Sequence, residues 1–354
     1  AAHLLSPANA DGAIMARDAG LPSLAMLLNP NRCLAWLARR APQLGVSSLV
    51  PNYLRYKPGM SCLASFAASG AGTMTFVYFK GYAGESSRKL EKAAARCSTE
   101  PMGAVFDRDL GVSAYFFPQD AELHGLSQLI DPLARPQSEW RCDLSNDPLS
   151  IHTLRYKPER RFVGMVSAGQ KPVAAVKLYT DRDYQQAQRN AKVLTSVSGV
   201  KLPRRLGRSR KQRCVVFEWI EGVRLTDLAA GRVIHANVAE EVGAAIAALH
   251  AHSCGKLRLA HADGASNEAR IAAVAVAEVL PMLADRAARL AEQIAARLAD
   301  EDDEPSVCHG DFYLDQVLLE DKIALLDLDN ARIGDPAQDL GNFIAHMERD
   351  AVSG

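Results

Sequence analysis

The chain has 354 residues, 48% of them hydrophobic and 23% charged, which is the composition of a globular protein with two or three domains. Lysine plus arginine and aspartate plus glutamate both number 41, so there is no net field that would attract nucleic acid or an anionic membrane. No apolar stretch is long enough to span a bilayer, and we therefore expect neither nucleic acid nor a membrane as a partner.

The N-terminal segment is helical in tendency. Leu34, Leu37 and Ala41 have the spacing of one buried helix face, in a helix that starts at Asn29. The opening residues lack the basic head and apolar core of a secretory signal. Seven cysteines are scattered without a CxxC pair or His/Cys metal spacing. This usage is typical of reduced thiols, so the predicted location is cytoplasmic, while the oligomeric state is left open.

One hairpin unit occurs twice in the chain. The segment LRYKP occupies residues 54–58 and again residues 154–158, and in both copies a strand, a turn and a second strand follow. Both second strands end in a lysine and an aromatic residue, with Lys80 in FVYFKGY and Lys177 in AAVKLY. The pattern predicts an internal repeat, with residues 49–82 as its first hairpin. Chance similarity of two amphipathic hairpins is the alternative.

After the second copy the sequence predicts one more strand and then helices. Residues 182–197 have a helical pattern that offers glutamine and asparagine but no glutamate. CVVFEWIEG, residues 214–222, is interpreted as a buried strand, and the basic run before it as a solvated turn rather than a binding patch. Five apolar residues then form the stripe of a core helix: Ile234, Val238, Val242, Ile246 and Leu249.

An acidic hairpin follows near the C-terminal end. Two apolar runs, residues 317–319 and 323–326, are too short for helices and are split by a turn-like Glu-Asp-Lys. Four acidic residues lie at its two mouths: Asp311, Asp315, Asp327 and Asp329. Because a hairpin returns its ends to one place, we expect these carboxylates to converge on a cation. Mg²⁺ prefers oxygen ligands and shares them with phosphates, so the segment predicts a metal–phosphate site.

The same segment resembles a known catalytic pattern. HGDFYLDQ at 309–316, LLDLD at 325–329 and GDPAQDL at 334–340 are similar to motifs of the aminoglycoside phosphotransferase and choline kinase families, which share the protein-kinase-like fold. The resemblance implies that Asp311 takes the proton of the substrate hydroxyl. His309, with Gly310 and Asp339, would shape and brace the loop. A solvated acidic hairpin in an unrelated domain is the alternative.

The resemblance also implies a set of metal ligands. Asp327 would be the main Mg²⁺ ligand, and Asp329 would add to it. Gln316 falls where the family has asparagine, and its amide oxygen is the same kind of donor on a longer stem. The alternative is that Gln316 only bonds the loop backbone.

The nucleotide would lie against the second copy of the repeat. Lys177 corresponds to the phosphate-binding lysine of the family's third strand. The stretch 214–222 resembles the hinge between the lobes, where the backbones of three of its residues would hold adenine, unless it is a plain core strand: Glu218, Trp219 and Ile220. The covering turn KPERR has no glycine, so either Arg160 or Arg161 contacts phosphate or both face solvent. The following helix lacks the glutamate that usually pairs with the lysine.

Together these features predict an α+β, bilobal protein-kinase-like fold with a β-rich small lobe and a helical large lobe, preceded by an extra α+β domain. The predicted domains are residues 1–145, which loosely resemble the cap domains of maltokinases, 146–222 and 223–354. The family continues with further helices, so either this copy is short or the chain is cut.

The predicted activity is transfer of the γ-phosphoryl group of ATP, with Mg²⁺, to a hydroxyl of a small molecule. A sugar, an aminoglycoside, a choline-like amino alcohol and a protein stay open as acceptors. The alternative is a nucleotide-binding pseudokinase that serves as a scaffold. The glycine-free turn, the missing glutamate and Gln316 favour that alternative, whereas Asp311, Asp327 and Lys177 oppose it.

Overall fold

The computed structural model divides the chain into two compact units. It describes residues 7–70, 73–84, 87–97, 103–131, 140, 142, 144–145, 147–230, 234–260, 264–299 and 304–353. The first unit comprises Ala1–Arg135, Arg155–Phe162 and Val276–Met282. The second unit comprises Pro136–Leu154, Val163–Ala275 and Leu283–Gly354.

The first unit is built on an antiparallel sheet. Its elements in chain order are α1 Pro7–Arg17, α2 Leu24–Leu27, α3 Pro30–Arg40, β1 Ser48–Lys57, β2 Ser61–Gly70, β3 Thr73–Tyr82, α4 Ser87–Cys97, β4 Ala104–Asp107, β5 Val112–Phe116 and α5 Leu126–Ile130. The five strands are ordered β1-β2-β3-β5-β4, and every pairing is antiparallel. The predicted hairpin is confirmed as β2 and β3, and β1 adds a third strand.

Helix α3 begins at the predicted start signal. The Asn29 side chain accepts hydrogen bonds from the backbone N–H groups of Asn31 and Arg32, and Pro30 occupies the first helical position. One face of the helix buries Trp36, whose ring meets Phe79 of the sheet edge-to-face at 5.7 Å between centroids. These contacts fix α3 against β3.

The second unit repeats the sheet and adds helices. Its elements are β6 Leu149–Lys157, β7 Arg161–Ala168, β8 Lys171–Tyr179, α6 Asp181–Val193, β9 Arg205–Ser209, β10 Cys214–Glu218, β11 Val223–Arg224, α7 Leu225–Ala230, α8 Ala236–His250, α9 Gly264–Val279, α10 Ala284–Ala299, β12 Ser306–Cys308, β13 Val317–Leu319, β14 Ile323–Leu325, β15 Arg332–Gly334 and α11 Ala337–Ser353. The turn between β6 and β7 and the last residues of α9 group with the first unit by their contacts.

The two large sheets share one topology. The second is ordered β6-β7-β8-β10-β9, the same order as β1-β2-β3-β5-β4 in the first. In each sheet a helix, α4 or α6, follows the third strand. The repeat predicted from LRYKP therefore extends over a whole five-stranded sheet and its helix.

The acidic hairpin segment, residues 309–340, is packed on the core of the second unit. The predicted stripe of α8 is confirmed, because Val242, Ile246 and Leu249 are buried against Val317 and Leu325 of the small hairpin. That hairpin pairs β13 with β14, as predicted, and β11 extends it to three strands. Among the described residues, no helix has both the length and the apolar character needed to cross a membrane.

Candidate active site

The HGD loop begins where β12 ends, and its histidine is fully buried. The Nε2 atom of His309 lies 2.7 Å from the backbone oxygen of Leu326, and Nδ1 lies 3.4 Å from the backbone nitrogen of Asp311. A carbonyl oxygen can only accept, so Nε2 carries the proton and Nδ1 accepts. Burial lowers the pKa of His309 below its usual value. The imidazole is therefore neutral and ties the loop to the end of β14.

A buried carboxylate on α11 holds the same loop from the other side. Asp339 accepts hydrogen bonds from the backbone N–H groups of His309, at 2.7 Å, and Gly310, at 2.9 Å, and lies 3.0 Å from Nε2 of His250. Burial alone would raise the pKa of Asp339, but the hydrogen bonds from His250 and the two N–H groups outweigh it and lower that pKa. Asp339 thus stays ionised and fixes the loop backbone.

Gly310 allows the loop to approach the neighbouring turn. Its φ is +80°, in the left-handed region, and a Cβ at this position would lie 2.3 Å from the backbone oxygen of Asn330. Any side chain would therefore push the loop away from residues 328–330. Since Leu326 and Asn330 flank Asp327 and Asp329, the HGD loop sits directly beside these two carboxylates.

Lys177 lies between the two carboxylates that follow the hairpin. Its Nζ is 2.9 Å from Oδ1 of Asp327 and 3.4 Å from Oδ2 of Asp329. The Tyr179 hydroxyl donates to the other oxygen of Asp329 at 3.1 Å. All three charged side chains are largely buried, with 11–13% of each exposed. Asp327 adopts a left-handed backbone conformation, with φ +61°, which is uncommon for a residue other than glycine.

The expectation that four carboxylates converge is wrong. Asp327 and Asp329 share Lys177, but Asp315 accepts a hydrogen bond of 2.6 Å from the Thr226 hydroxyl at the start of α7. Among the described residues, no three His, Cys, Asp or Glu side chains are grouped closely enough to hold a metal ion. A hairpin brings its chain ends together, but it does not set the direction of each side chain.

Helix α6 has no glutamate to pair with Lys177, but two of its side-chain amides bind the backbone of residues 328–331. The side-chain nitrogen of Asn190 donates to the backbone oxygens of Leu328, Asp329 and Ala331 at 2.9–3.2 Å. Gln186 donates to the Asp329 oxygen as well, at 3.3 Å. From the sequence, this helix was described only as lacking a glutamate, and no role was predicted for its amides. They clamp the turn that carries Asp329, and Lys177 takes its negative partners from that turn.

Gln316 and the segment after β10 also pack on the small hairpin. Gln316 is 5% exposed, and its backbone oxygen accepts from the N–H of Leu326, beside Asp327. Glu218, the last residue of β10, and Trp219 are half-buried, while Ile220 is buried against Leu318 and Ala324. The backbone N–H of Glu218 donates to Arg204 of the preceding segment at 2.8 Å.

Arg160 lies in the turn that groups with the first unit. Its backbone N–H closes the turn on the Lys157 oxygen at 3.1 Å, and the residue is exposed. The neighbouring Glu159, which attracted no attention in the sequence, is instead buried, at 6% exposure. A phosphate contact for Arg160 stays a prediction.

The fold and the site define a class of protein. The second unit joins a five-stranded sheet to a mainly helical part through the small hairpin, which is the predicted α+β protein-kinase-like fold. The sequence profile of the APH phosphotransferase enzyme family matches residues 154–353. This match covers more than half of the chain. The chain belongs to that family, and it is a small-molecule kinase.

Solved structures of the same kind are similar to the chain at low identity. The streptomycin–ATP ternary complex of APH(2″)-IIa is 13% identical over 57% of this chain and 71% of its own, with a TM-score of 0.41. A mutant of the aminoglycoside phosphotransferase APH(4)-Ia, with ADP and hygromycin B, is 16% identical over 55% and 70%, with a TM-score of 0.41. A choline/ethanolamine kinase family protein from Mesorhizobium loti is 15% identical over 61% and 67%, with a TM-score of 0.42. No curated protein matches the sequence.

Proposed function

We propose that the chain transfers the γ-phosphoryl group of ATP to a hydroxyl group of a small molecule. The observation that carries this proposal is the pairing of Lys177 with Asp327 and Asp329 beside the braced HGD loop. An ammonium group and two carboxylates meet there at the mouth of the hairpin. Phosphoryl transfer depends on positioning and on charge neutralisation, and both kinds of group are present in one place.

Asp311 is proposed as the residue that orients the acceptor hydroxyl and takes its proton. Within the described chain, no hydrogen bond or ion pair involves its carboxylate, while its backbone N–H is held by His309. The carboxylate is thus free to accept a hydroxyl at a position fixed by the buried loop. His309 is a positioning residue in this proposal, because its ring is turned to Leu326 and the loop backbone.

Lys177 is proposed to bind the phosphates of ATP, with adenine against the backbone of Glu218, Trp219 and Ile220. Asp327 and Asp329 neutralise its ammonium group in the structure. Anionic phosphate oxygens offer Lys177 an alternative partner of the same sign. The family profile and the ATP and ADP in two of the similar structures support the choice of nucleotide.

The donor set of the site fits Mg²⁺. Asp327 and Asp329 offer hard carboxylate oxygens that already share one cation, and Gln316 offers an amide oxygen on the neighbouring turn. We propose these three residues as the ones that would hold the ion. When bound, Mg²⁺ neutralises the phosphate oxygens of the nucleotide during transfer.

The acceptor is proposed to be a sugar, an aminoglycoside or an amino alcohol. A panel of such compounds, assayed for ATP consumption with Mg²⁺, tests the proposal directly. We expect at least one compound to accelerate ATP turnover with formation of a phosphate monoester. Tight ATP binding without turnover across the panel would instead favour a pseudokinase.

Asp311→Asn tests the role of the base. We expect turnover to fall about 10²–10⁴-fold, because a positioned general base contributes that much, while ATP affinity and the free energy of unfolding stay unchanged. The matched control is Asp321→Asn at the exposed tip of the small hairpin, which makes the same chemical change in the same segment. Equal rates for the wild type and Asp311→Asn would refute the assignment.

Gln316→Leu tests the proposed third metal ligand. Leucine removes the amide oxygen at similar size, so the Mg²⁺ concentration for half-maximal rate is expected to rise, by about tenfold for one lost interaction of 1.4 kcal/mol. Gln316→Asn, which keeps the amide oxygen, is the control. A Leu variant with unaltered Mg²⁺ dependence would make Gln316 structural and leave metal binding to Asp327 and Asp329.

A further inference from the structure

The first unit contains a cavity of its own beside β3. Its volume is about 440 Å³, within the range of about 300–1,000 Å³ that is usual for small-molecule sites. Lys80 of β3 lines it together with Lys89 and Lys92 of α4. Lys80 stands at the position that Lys177 holds in the second sheet, because each is the lysine of a Lys-x-Tyr run that ends the third strand.

Three lysines and two acidic residues line this cavity. Lys80, Lys89 and Lys92 line it, against the carboxylates of Asp120 and Glu122. Lys89 and Lys92 are three residues apart on α4 and therefore share one face of the helix. Both are exposed, and neither makes an ion pair with another described residue. Two ammonium groups are thus available to a ligand in the cavity.

The carboxylate of Asp120 is already committed to the protein. One of its oxygens accepts from the backbone N–H groups of Glu122 and Leu123 at 2.8 and 2.9 Å. The other accepts from the Tyr156 hydroxyl and the backbone N–H of Glu159, at 2.8 and 3.0 Å. Four donors therefore stabilise this negative charge, and it needs no lysine as a counter-ion. Lys80 has its own partner in Glu159.

At the two described positions after β5, the chain differs from the segment after β10. In register with Lys80 and Lys177, β5 continues into Phe117 and Pro118 where β10 continues into Trp219 and Ile220. The N–H of Phe117 donates to the Phe76 oxygen at 2.9 Å, and proline has no N–H. Backbone donors for a purine edge are therefore absent from these two positions. The wall does present polar side chains, among them Gln119 and Ser127.

We propose that this cavity is a binding site for a small phosphomonoester, separate from the phosphotransfer site. A phosphate dianion matches the two available ammonium groups of α4, since charge-assisted hydrogen bonds to phosphate are among the strong ones. Gln119 and Ser127 suit the hydroxyl groups of a sugar-like body. The proposal does not depend on catalysis, because binding alone defines it.

The test is a calorimetric titration of the full chain with glucose 6-phosphate and with inorganic phosphate, in the presence of saturating MgADP to fill the catalytic site. We expect both phosphate probes to bind and neutral glucose not to bind. The double variant Lys89→Gln/Lys92→Gln is expected to lower the affinity at least about tenfold, because each lost charged contact is worth about 1.4 kcal/mol or more. Both lysines are exposed, so its thermal midpoint is expected to stay at the wild-type value.

The matched control is Lys171→Gln/Lys322→Gln, which removes two exposed lysine charges from the second unit. An equal loss of affinity in this control would mean that overall charge, and not the cavity, attracts phosphate. Three further results would overturn the proposal: no binding of either phosphate probe, equal binding of glucose, or full retention of affinity in the Lys89/Lys92 variant.

Discussion

The two large sheets have the same strand order, but the equivalent lysines at the ends of their third strands, Lys80 and Lys177, have different partners. In the second unit the Nζ of Lys177 lies between Asp327 and Asp329, which stand in a turn of the catalytic segment. In the first unit the Nζ of Lys80 lies 2.7 Å from Oε2 of Glu159, a residue of the β6–β7 turn. We propose that Lys177 exchanges these partners for phosphate, whereas Lys80 lies in a largely buried ion pair with Glu159.

The turns after LRYKP differ at the residue that directly follows the proline, and this difference supplies the partner of Lys80. Gly59 follows the first copy and Glu159 the second, and both have a left-handed backbone, with φ of +65° and +56°. Glycine adopts this conformation readily, but glutamate is strained in it. The strain persists because the Glu159 carboxylate accepts from Arg55 and Lys80 at 2.8 and 2.7 Å. Burial raises the pKa of Glu159, and the two cations oppose that shift.

The sheet places a lysine at the end of its third strand in both units, and the segment packed opposite that lysine determines which carboxylate it binds. The lysine at the end of the third strand is a general place for holding negative charge. Only the second copy has an HGD loop and two carboxylates opposite this lysine. The first copy keeps the scaffold and uses its lysine to hold Glu159.

The largest expected effect separates the two lysines. Lys177→Met is expected to lower kcat/KM about 10²–10³-fold, as for loss of one preorganised electrostatic group. Lys80→Met leaves kcat/KM per folded molecule unchanged. ATP titration of both the wild type and Lys80→Met gives one nucleotide per chain, because only the second sheet faces a catalytic segment. Two nucleotides per chain, or equal losses in both variants, would show that the copies are functionally equivalent.

A smaller effect concerns the structural ion pair. Glu159→Gln leaves the Lys80 ammonium buried without its counter-ion, so we expect the free energy of unfolding to fall by about 3 kcal/mol. Denaturant titration measures the change. Glu122→Gln, at an exposed position of the same unit, is the control, with an expected change of about 0.5 kcal/mol or less. A result for Glu159→Gln as small as that of the control would mean that the pair contributes no stability.

The smallest effect isolates the backbone of the turn. Gly59→Ala is expected to destabilise the chain by about 1 kcal/mol, because φ is +65° and no atom lies within 4 Å of the added Cβ. Gly12→Ala makes the same addition inside α1, again with no atom within 4 Å, and is expected to stabilise by about 0.5–1 kcal/mol. Effects of one sign at both positions would contradict a purely conformational origin.

The parts of the structure that were predicted correctly are those that depend on the spacing of residues close together in the sequence. The small hairpin, the apolar stripe of α8 and the repeat are patterns of neighbouring residues, and each was found where the sequence placed it. The family assignment rests on three motifs in one short segment and is confirmed by the profile match. The roles of the individual site residues and the domain boundaries stay predictions.

Side-chain pairing across long sequence separations could not be predicted in this way. Asn190 grips a turn about 140 residues away, and an asparagine inside a helix gives no sign of its partner. Asp315 accepts a hydrogen bond from Thr226 instead of joining the other carboxylates, because the direction of a side chain depends on packing that the hairpin pattern does not contain. One signal was available: the exchange of Gly59 for Glu159 at matched positions of the repeat marks a residue with a special reason to be there.

The bridge made by Asp339 has a consequence for local opening. This one carboxylate, in the first turn of α11, binds His250 at the end of α8 and two backbone N–H groups of the HGD loop. Fraying of that turn would release both loop amides at once, so the loop and the helix start form a single cooperative unit in hydrogen exchange. We therefore expect the amide proton of Gly310 to exchange at the rate of the start of α11, and not at the rate of the exposed hairpin tip at residues 320–322.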